Sequence, residues 1–262
     1  MRYGLALSRL SRHIGGPTRV GAACGGQIGR YNALKINNMR DTPHRRIEAI
    51  VFDMDGVLID SEPVHYESTR LLFLDELGVT LKEPINNEFL GSTDRYMFEV
   101  LRERYRLEVS VDDLIDRRKV IYMNLVEKQG LPWRDGILNL IADLAASRYR
   151  LAVASSSLKR IIDHTLESGG IRRYFEAIVS GDEITAPKPA PEIYLEAARR
   201  LRIDPVRCAA IEDTDVGVRS AKAAGMFTIA FPCPTTAKMD FSSADAVIRQ
   251  PGEVPSLLYA EF

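Results

Sequence analysis

Asp53 and Asp55 stand two residues apart at the end of a short apolar run, Ile47-Glu48-Ala49-Ile50-Val51-Phe52, and Gly56 follows them. Ser155 ends a second run, Leu151-Ala152-Val153-Ala154. Lys188 follows a third, Ala177-Ile178-Val179, and Glu212-Asp213 end a fourth, Cys208-Ala209-Ala210-Ile211. If these runs are strands of one parallel sheet, every such residue lies at the carboxyl edge, where open α/β sheets bind ligands. Four carboxylates, an ammonium and a hydroxyl then converge on one small volume. Carboxylates so crowded repel one another unless a hard cation sits among them, and oxygen ligands favour Mg²⁺ over Zn²⁺. A lysine beside such a cation suits an anionic substrate, most simply a phosphoryl group.

That chemistry gives each residue a role. Asp53 can attack phosphorus and form an aspartyl-phosphate, a form of covalent catalysis. Mg²⁺ and Lys188 would offset the repulsion between a carboxylate and a phosphate dianion. Asp55, past a turn set by Gly56, can protonate the leaving oxygen and later deprotonate a water. Ser155, with Ser156 beside it, is placed on the non-bridging phosphate oxygens. Asp213 is expected to ligate the metal directly, and Glu212 to ligate it or orient its waters.

The elements that must hold these residues are legible from periodicity. The four runs, with Phe227-Thr228-Ile229-Ala230 and Ala246-Val247-Ile248, alternate with helix-length segments whose apolar residues recur near every 3.6 positions. Ile161, Ile162, Thr165 and Leu166 form one such face. Gly225, after Ala223-Ala224, stands where a C′ glycine ends the helix that starts near Thr214. Alternating strands and helices predict an α/β fold with a Rossmann-like parallel sheet. Between Ser61 and Gly130 the alternation stops. Glu62–Leu77, Asp94–Tyr105 and Val111–Lys128 all read as amphipathic helices. An insert that long exceeds a simple crossover and predicts a helical cap over the sheet's carboxyl edge. The expected division is a core of residues 47–60 and 131–262 with an inserted α-helical cap domain at 61–130.

The run from Val51 through Phe52-Asp53-Met54-Asp55-Gly56-Val57-Leu58-Ile59-Asp60-Ser61-Glu62 to Pro63 resembles the first motif of the haloacid dehalogenase superfamily. The likeness is to the branch with a helical cap after strand one, which includes β-phosphoglucomutase and sugar-phosphate phosphatases. Ala152-Val153-Ala154-Ser155-Ser156 is similar to the second motif, Lys188-Pro189-Ala190-Pro191 to the third, and Ile211-Glu212-Asp213-Thr214 with Gly217, Ala221, Ala224 and Gly225 to the fourth. The four occur in family order over about Ile47 to Val247. The resemblance implies Mg²⁺ dependence, Asp53 as nucleophile and metal ligand, Asp55 as acid/base, and the backbone carbonyl of Asp55 on the metal.

The cap separates activities within that branch. Glu62 and His65 open the first cap helix, and phosphomutases of the family carry a histidine at the corresponding place, so both are cap candidates for substrate work. Gly91-Ser92-Thr93-Asp94-Arg95 resembles the loop that reads the substrate. Mutases carry a basic residue there, whereas Asp94 stands in that register here and Arg95 follows it. Their second basic residue is Leu158 here, with Lys159 next. Lys119, in Arg117-Arg118-Lys119, is a further candidate to face the cleft. These departures favour hydrolysis of a small phosphorylated metabolite, a sugar or polyol phosphate, over transfer between two phosphates. The alternatives are a sugar phosphomutase and, from another class, a catalytically silent binding protein on the same fold. Asp55 argues against dehalogenation, and the first cap lysine, Lys82, lies too late for a Schiff-base phosphonate hydrolase.

Composition sets the remaining bounds. The 262 residues carry 35 Lys+Arg against 36 Asp+Glu, with 45% hydrophobic residues. No stretch approaches the ~18 apolar residues of a membrane span, and near-neutral net charge argues against broad nucleic-acid binding, which needs a basic face. Cys24, Cys208 and Cys233 form no CxxC pair and the four histidines show no HxxxH spacing, which argues against a disulfide framework and a zinc site. Residues 1–46 hold nine Lys/Arg and one acid, Asp41, and are rich in glycine. They read as a disordered extension, with Met39 as an alternative start. A monomer in the cytoplasm is expected, or an organelle enzyme if residues 1–46 act as a transit peptide.

Overall fold

The apolar runs become six parallel strands in the computed structural model, which describes residues 46–81, 85–89 and 94–260. The strands are β1 (Ala49–Phe52), β2 (Arg150–Ser155), β3 (Phe175–Ser180), β4 (Cys208–Glu212), β5 (Phe227–Ala230) and β6 (Ala246–Val247). They lie in the order β3-β2-β1-β4-β5-β6, and every neighbouring pair is parallel. Val51 of β1 pairs with Ala152 on one side and Ala210 on the other. The chain winds outward from β1 through β2 and β3, then returns to β4 on the opposite side. The crevice beside β1 is therefore the switch point at which such sheets take ligands.

Strand side chains alternate between faces. Ile50 and Phe52 join one buried cluster with Leu151, Val153 and Ile211, while Ala49 and Val51 join another with Ala152, Ala154 and Ala210. Small residues on that second face let Ile193, Tyr194, Ala197 and Leu201 approach the sheet closely. The alternation explains why β1 reads as an unbroken apolar run: both of its faces are buried.

Between β1 and β2 lie helices α1 (Glu62–Leu71), extended by a π-wound segment Leu72–Glu76, then α2 (Ile85–Glu88), α3 (Asp94–Arg104), α4 (Val111–Gln129) and α5 (Ile137–Ala146). Ser110 caps α4 by accepting a hydrogen bond from the Asp113 amide at 3.1 Å. Leu72, Phe73, Phe98, Leu101 and Leu114 form a third apolar cluster, confined to this insert. Val64, Tyr122, Met123 and Val126 instead belong to the cluster of the sheet, so α1 and α4 pack on both. Past β2 come α6 (Lys159–Ser168), α7 (Glu192–Leu201), α8 (Asp215–Ala223) and α9 (Val254–Ala260). Thr214 caps α8 through the Gly217 amide at 3.0 Å, and Gly225, at φ +85°, follows its end as the sequence pattern predicts. Among the described residues no helix is long and apolar enough to cross a membrane. The extension of residues 1–46, Arg46 apart, lies outside the described residues, as do Lys82 and Gly91-Ser92-Thr93 of the cap loop.

Candidate active site

Every strand-end residue singled out above lies at the carboxyl edge of the sheet. Asp53 follows β1, Ser155 ends β2, Lys188 lies between β3 and α7, and Glu212 and Asp213 close β4. Lys188 Nζ donates to Asp53 Oδ1 at 2.6 Å, to Glu212 Oε1 at 2.7 Å and to the Ala154 carbonyl at 3.3 Å. Asp53, Glu212 and Asp213 are buried, at 6%, 1% and 5% exposure, and a carboxylate oxygen of each lies within 4.8 Å of the others. Such a set can hold a metal ion.

The electrostatics of the group fit a cation. Burial pushes the Asp53 carboxyl well above the usual range; Lys188 opposes that, and Glu212, Asp213 and Asp55 add to it. Burial likewise pushes Asp213 up to about 9, with Glu212 and the Cys233 thiol adding. Burial pulls the Lys188 ammonium down, but Asp53 and Glu212 outweigh it and hold its pKa well above the ordinary value. One ammonium thus faces more negative charge than it can balance. The oxygen-only carboxylates beside it are the donor set of a hard divalent ion.

Glu212 stands apart within that set. Its Oε1 accepts from Lys188 and from the Tyr194 hydroxyl, at 2.7 Å each. Its Oε2 accepts from the amides of Asp213 and Thr214 and from Thr214 Oγ1. A Cβ at position 217 would overlap this carboxylate, so Gly217 admits it. With both oxygens engaged, Glu212 anchors Lys188. Asp213 is less occupied, with Cys233 Sγ at 3.5 Å from its Oδ2.

Asp55 faces the second motif. Its Oδ2 accepts from Ser157 Oγ at 2.7 Å and lies 3.5 Å from Ser155 Oγ, while its buried Oδ1 has no hydrogen-bond partner among the described residues. Ser155 Oγ also accepts from the Ser157 amide at 3.0 Å. Ser156 is exposed, and Ser157 makes the contact to the acid/base candidate instead. Gly56, at φ +79°, turns the chain so closely against Asp213 that a Cβ there would overlap its carboxylate.

Among the described residues, the helical insert contributes through α1 and α4. Glu62 and His65 lie on the first turn of α1. Burial raises the Glu62 carboxyl, with Asp60 and Asp55 adding, whereas burial and Arg118 lower the His65 imidazole. His65 stacks on Tyr122 at 4.5 Å between centroids, and its Nδ1 lies 3.2 Å from Arg118 Nη1. Arg118 also donates to Asp94 Oδ2, and its buried Nε has no partner among the described residues. The other cap candidates are not brought together with these groups. Arg95 pairs with Asp112 on the exposed surface at 2.5 Å, and Lys119 lies 3.6 Å from Asp116, also exposed.

Sequence reasoning passed over Ser157, Tyr194 and Arg118. For Arg118 a signal existed: it lies four residues after Leu114 and four before Tyr122, both buried, on the inward stripe of α4. For Tyr194 none did, because a tyrosine on an apolar helix face reads as core.

Residues 50–231 match the haloacid dehalogenase-like hydrolase family. The chain belongs to that family. This HAD-like hydrolase is 30% identical over 184 residues to a phosphorylated carbohydrates phosphatase of Thermotoga maritima, covering 69% of this chain and 82% of that protein. It is also 30% identical over 194 residues to hexitol phosphatase B of Escherichia coli K12, covering 72% and 86%. The crystal structure of CbbY from Rhodobacter sphaeroides in complex with phosphate superposes with a TM-score of 0.67 at 29% identity, covering 79% of this chain and 96% of that one. The HAD-like hydrolase fold and its α/β sheet are thus as the four motifs imply.

Proposed function

We propose that this hydrolase is a Mg²⁺-dependent phosphatase of small phosphorylated carbohydrates, working through an aspartyl-phosphate on Asp53. The observation that carries the reading is the buried Lys188 ammonium held between Asp53 and Glu212 beside Asp213. The names of the two phosphatase relatives support the substrate class.

Asp53 and Asp213 would hold the ion, with the Asp55 carbonyl, and when bound it supplies charge that offsets the approach of carboxylate to phosphate. Asp53 attacks phosphorus as the bond to the sugar oxygen breaks, and Asp55 gives that oxygen a proton. Asp55 then takes a proton from water, whose oxygen displaces Asp53 and frees inorganic phosphate. Asp55 Oδ1, buried without a partner among the described residues, is the oxygen that serves the leaving group and the water. Lys188 keeps its charge throughout and steadies the phosphoryl oxygens; Ser155 donates to one of them.

The helices of residues 61–130 act as the cap in this reading, with Glu62, His65 and Arg118 on the substrate side. Asp94 engages Arg118, and Arg95 and Lys119 pair with surface acids. Among the described residues, the cap's inward cation is therefore already matched by a carboxylate. That arrangement favours release of phosphate to water over grip on the far end of a bisphosphate.

The test is a panel of phosphorylated sugars and polyols incubated with Mg²⁺ and assayed for free phosphate. It includes β-glucose 1-phosphate with and without the 1,6-bisphosphate. Phosphate release from at least one compound is expected. Rapid glucose 6-phosphate with little free phosphate would make the enzyme a mutase. Inertness across the panel would favour a silent binding protein.

A further inference from the structure

The chain passes between the sheet and the helical insert twice, and the two passages are joined. Ile59 bridges Trp133 antiparallel, the Asp60 amide donates to the Pro132 carbonyl at 2.8 Å, and the Arg134 amide donates to the Leu58 carbonyl at 2.9 Å. The side chain of Arg134 then leaves this junction for the carboxyl edge. Its guanidinium lies over the Phe231 ring at 3.8 Å from the centroid. One arm, Nη1, donates to the Gly56 carbonyl; the other, Nη2, donates to the Pro232 carbonyl at 3.3 Å.

Gly56 is no ordinary loop residue. It follows Asp55, takes φ +79°, and runs against the Asp213 carboxylate with no room for a Cβ. Its amide closes the turn onto the Ile59 carbonyl at 2.8 Å, next to the junction itself. A single planar cation thus fastens the Asp55-Gly56 turn to the loop after β5 and to the second passage from the insert. Two carbonyls held by two arms need the fixed fork of arginine; an ammonium is a point charge that cannot span them in the same geometry. The ring beneath fixes the plane of the fork.

We propose that Arg134 is a positioning residue for the general acid/base: it holds the Asp55-Gly56 turn at the register that aims Asp55 at the leaving oxygen and seats Gly56 against Asp213. The inference rests on the acid/base reading of Asp55 given above. Arg134 itself touches neither substrate nor reacting atoms.

The experiment compares wild type, Arg134→Ala and Arg134→Lys on glucose 6-phosphate and on p-nitrophenyl phosphate. An alkoxide leaving group needs the proton from Asp55, whereas nitrophenolate leaves without it. A misplaced acid is expected to lower kcat/KM on glucose 6-phosphate by about 100-fold, the scale of a ~1 Å error in geometry. On p-nitrophenyl phosphate the loss is expected to be smaller by at least about tenfold. Arg134→Lys should behave like Arg134→Ala, and millimolar guanidinium chloride should restore Arg134→Ala in part where sodium chloride does not. Equal losses on both substrates, full activity in either variant, or no guanidinium rescue would overturn the proposal. Amide hydrogen exchange supplies an arm independent of turnover. The amides of Gly56, Val57, Leu58 and Ile59 should exchange faster in Arg134→Ala while those of β1 and β4 hold; unchanged exchange in the turn also overturns it. A wild type inert on both esters and across the panel of sugar and polyol phosphates would defeat the phosphatase reading, and the exchange arm would still decide whether Arg134 holds the turn.

Discussion

Replacing Lys188 with methionine removes one charge from a place where no water can replace it. The ammonium donates to Asp53 at 2.6 Å and to Glu212 at 2.7 Å, and the side chains of all three are nearly enclosed. Breaking a buried ion pair from one side costs about 3–5 kcal/mol, because the partner stays buried and uncompensated. In a chain of this size that corresponds to a fall in Tm of about 6–20 °C. The penalty must depend on pH. At about 1.4 kcal/mol per pH unit, it equals a carboxyl titrating about two to four units higher in the folded state than in the unfolded chain, where Asp titrates near ~3.9. A folded pKa raised in this way leaves stability intact below the unfolded value and erodes it as pH rises through the folded one. Burial already pushes Asp53 upward, with Lys188 the opposing charge, so the carboxyl that takes the proton is at hand. The deficit of Lys188→Met against wild type should therefore be about 1.5 kcal/mol at pH 5, roughly one unit above the unfolded value, and full at pH 8. The assay is thermal unfolding of both proteins in EDTA across that range, with phosphate release measured in Mg²⁺. Turnover should fall by about 10²–10³-fold, as when one preorganised donor to a transition-state oxyanion is lost. Equal melting temperatures at pH 8, or a deficit that does not change between pH 5 and pH 8, would refute the reasoning.

Asp53→Asn should abolish phosphate release while shifting Tm by only a few degrees, since Lys188 keeps Glu212 and the carboxylate crowding eases; release near the wild-type rate would remove Asp53 from the nucleophile's role. Mg²⁺ at about 100 times its Kd should stabilise the wild type by about 2.7 kcal/mol, visible as a rise in Tm. Asp213→Asn should lose that response, yet melt near wild type in EDTA at pH 7, because a carboxyl pushed up to about 9 already carries its proton there; an undiminished Mg²⁺ response would exclude Asp213 as a ligand.

The sequence by itself determined the strands and the edge of the sheet that carries chemistry. Short runs such as Ala49–Phe52 are apolar on both faces, as a covered parallel sheet requires, and β1 to β4 end on or just before a polar residue at the same edge. Asp53, Asp55, Lys188 and Asp213 were legible for that reason: strand direction alone aligns their positions, whatever their side chains then do. Gly225 was legible because a helix end makes a local demand on φ. What only the tertiary structure decided is which neighbour each side chain meets. Ser157, not Ser156, reaches Asp55, because three consecutive serines leaving a strand point in different directions. Arg118, not its neighbour Lys119, turns inward, because α4 shows one stripe to α1 and the others to water, while Arg95 on α3 pairs with Asp112 at the surface. Glu212 is tied by Tyr194, whose proximity depends on how α7 packs on the sheet. Arg134 lies 78 residues beyond the carbonyl it holds. Backbone hydrogen bonding and the period of apolar burial are local properties that a sequence displays directly. A contact between side chains depends on rotamer, helix phase and packing distance together, and those exist only once the chain has folded.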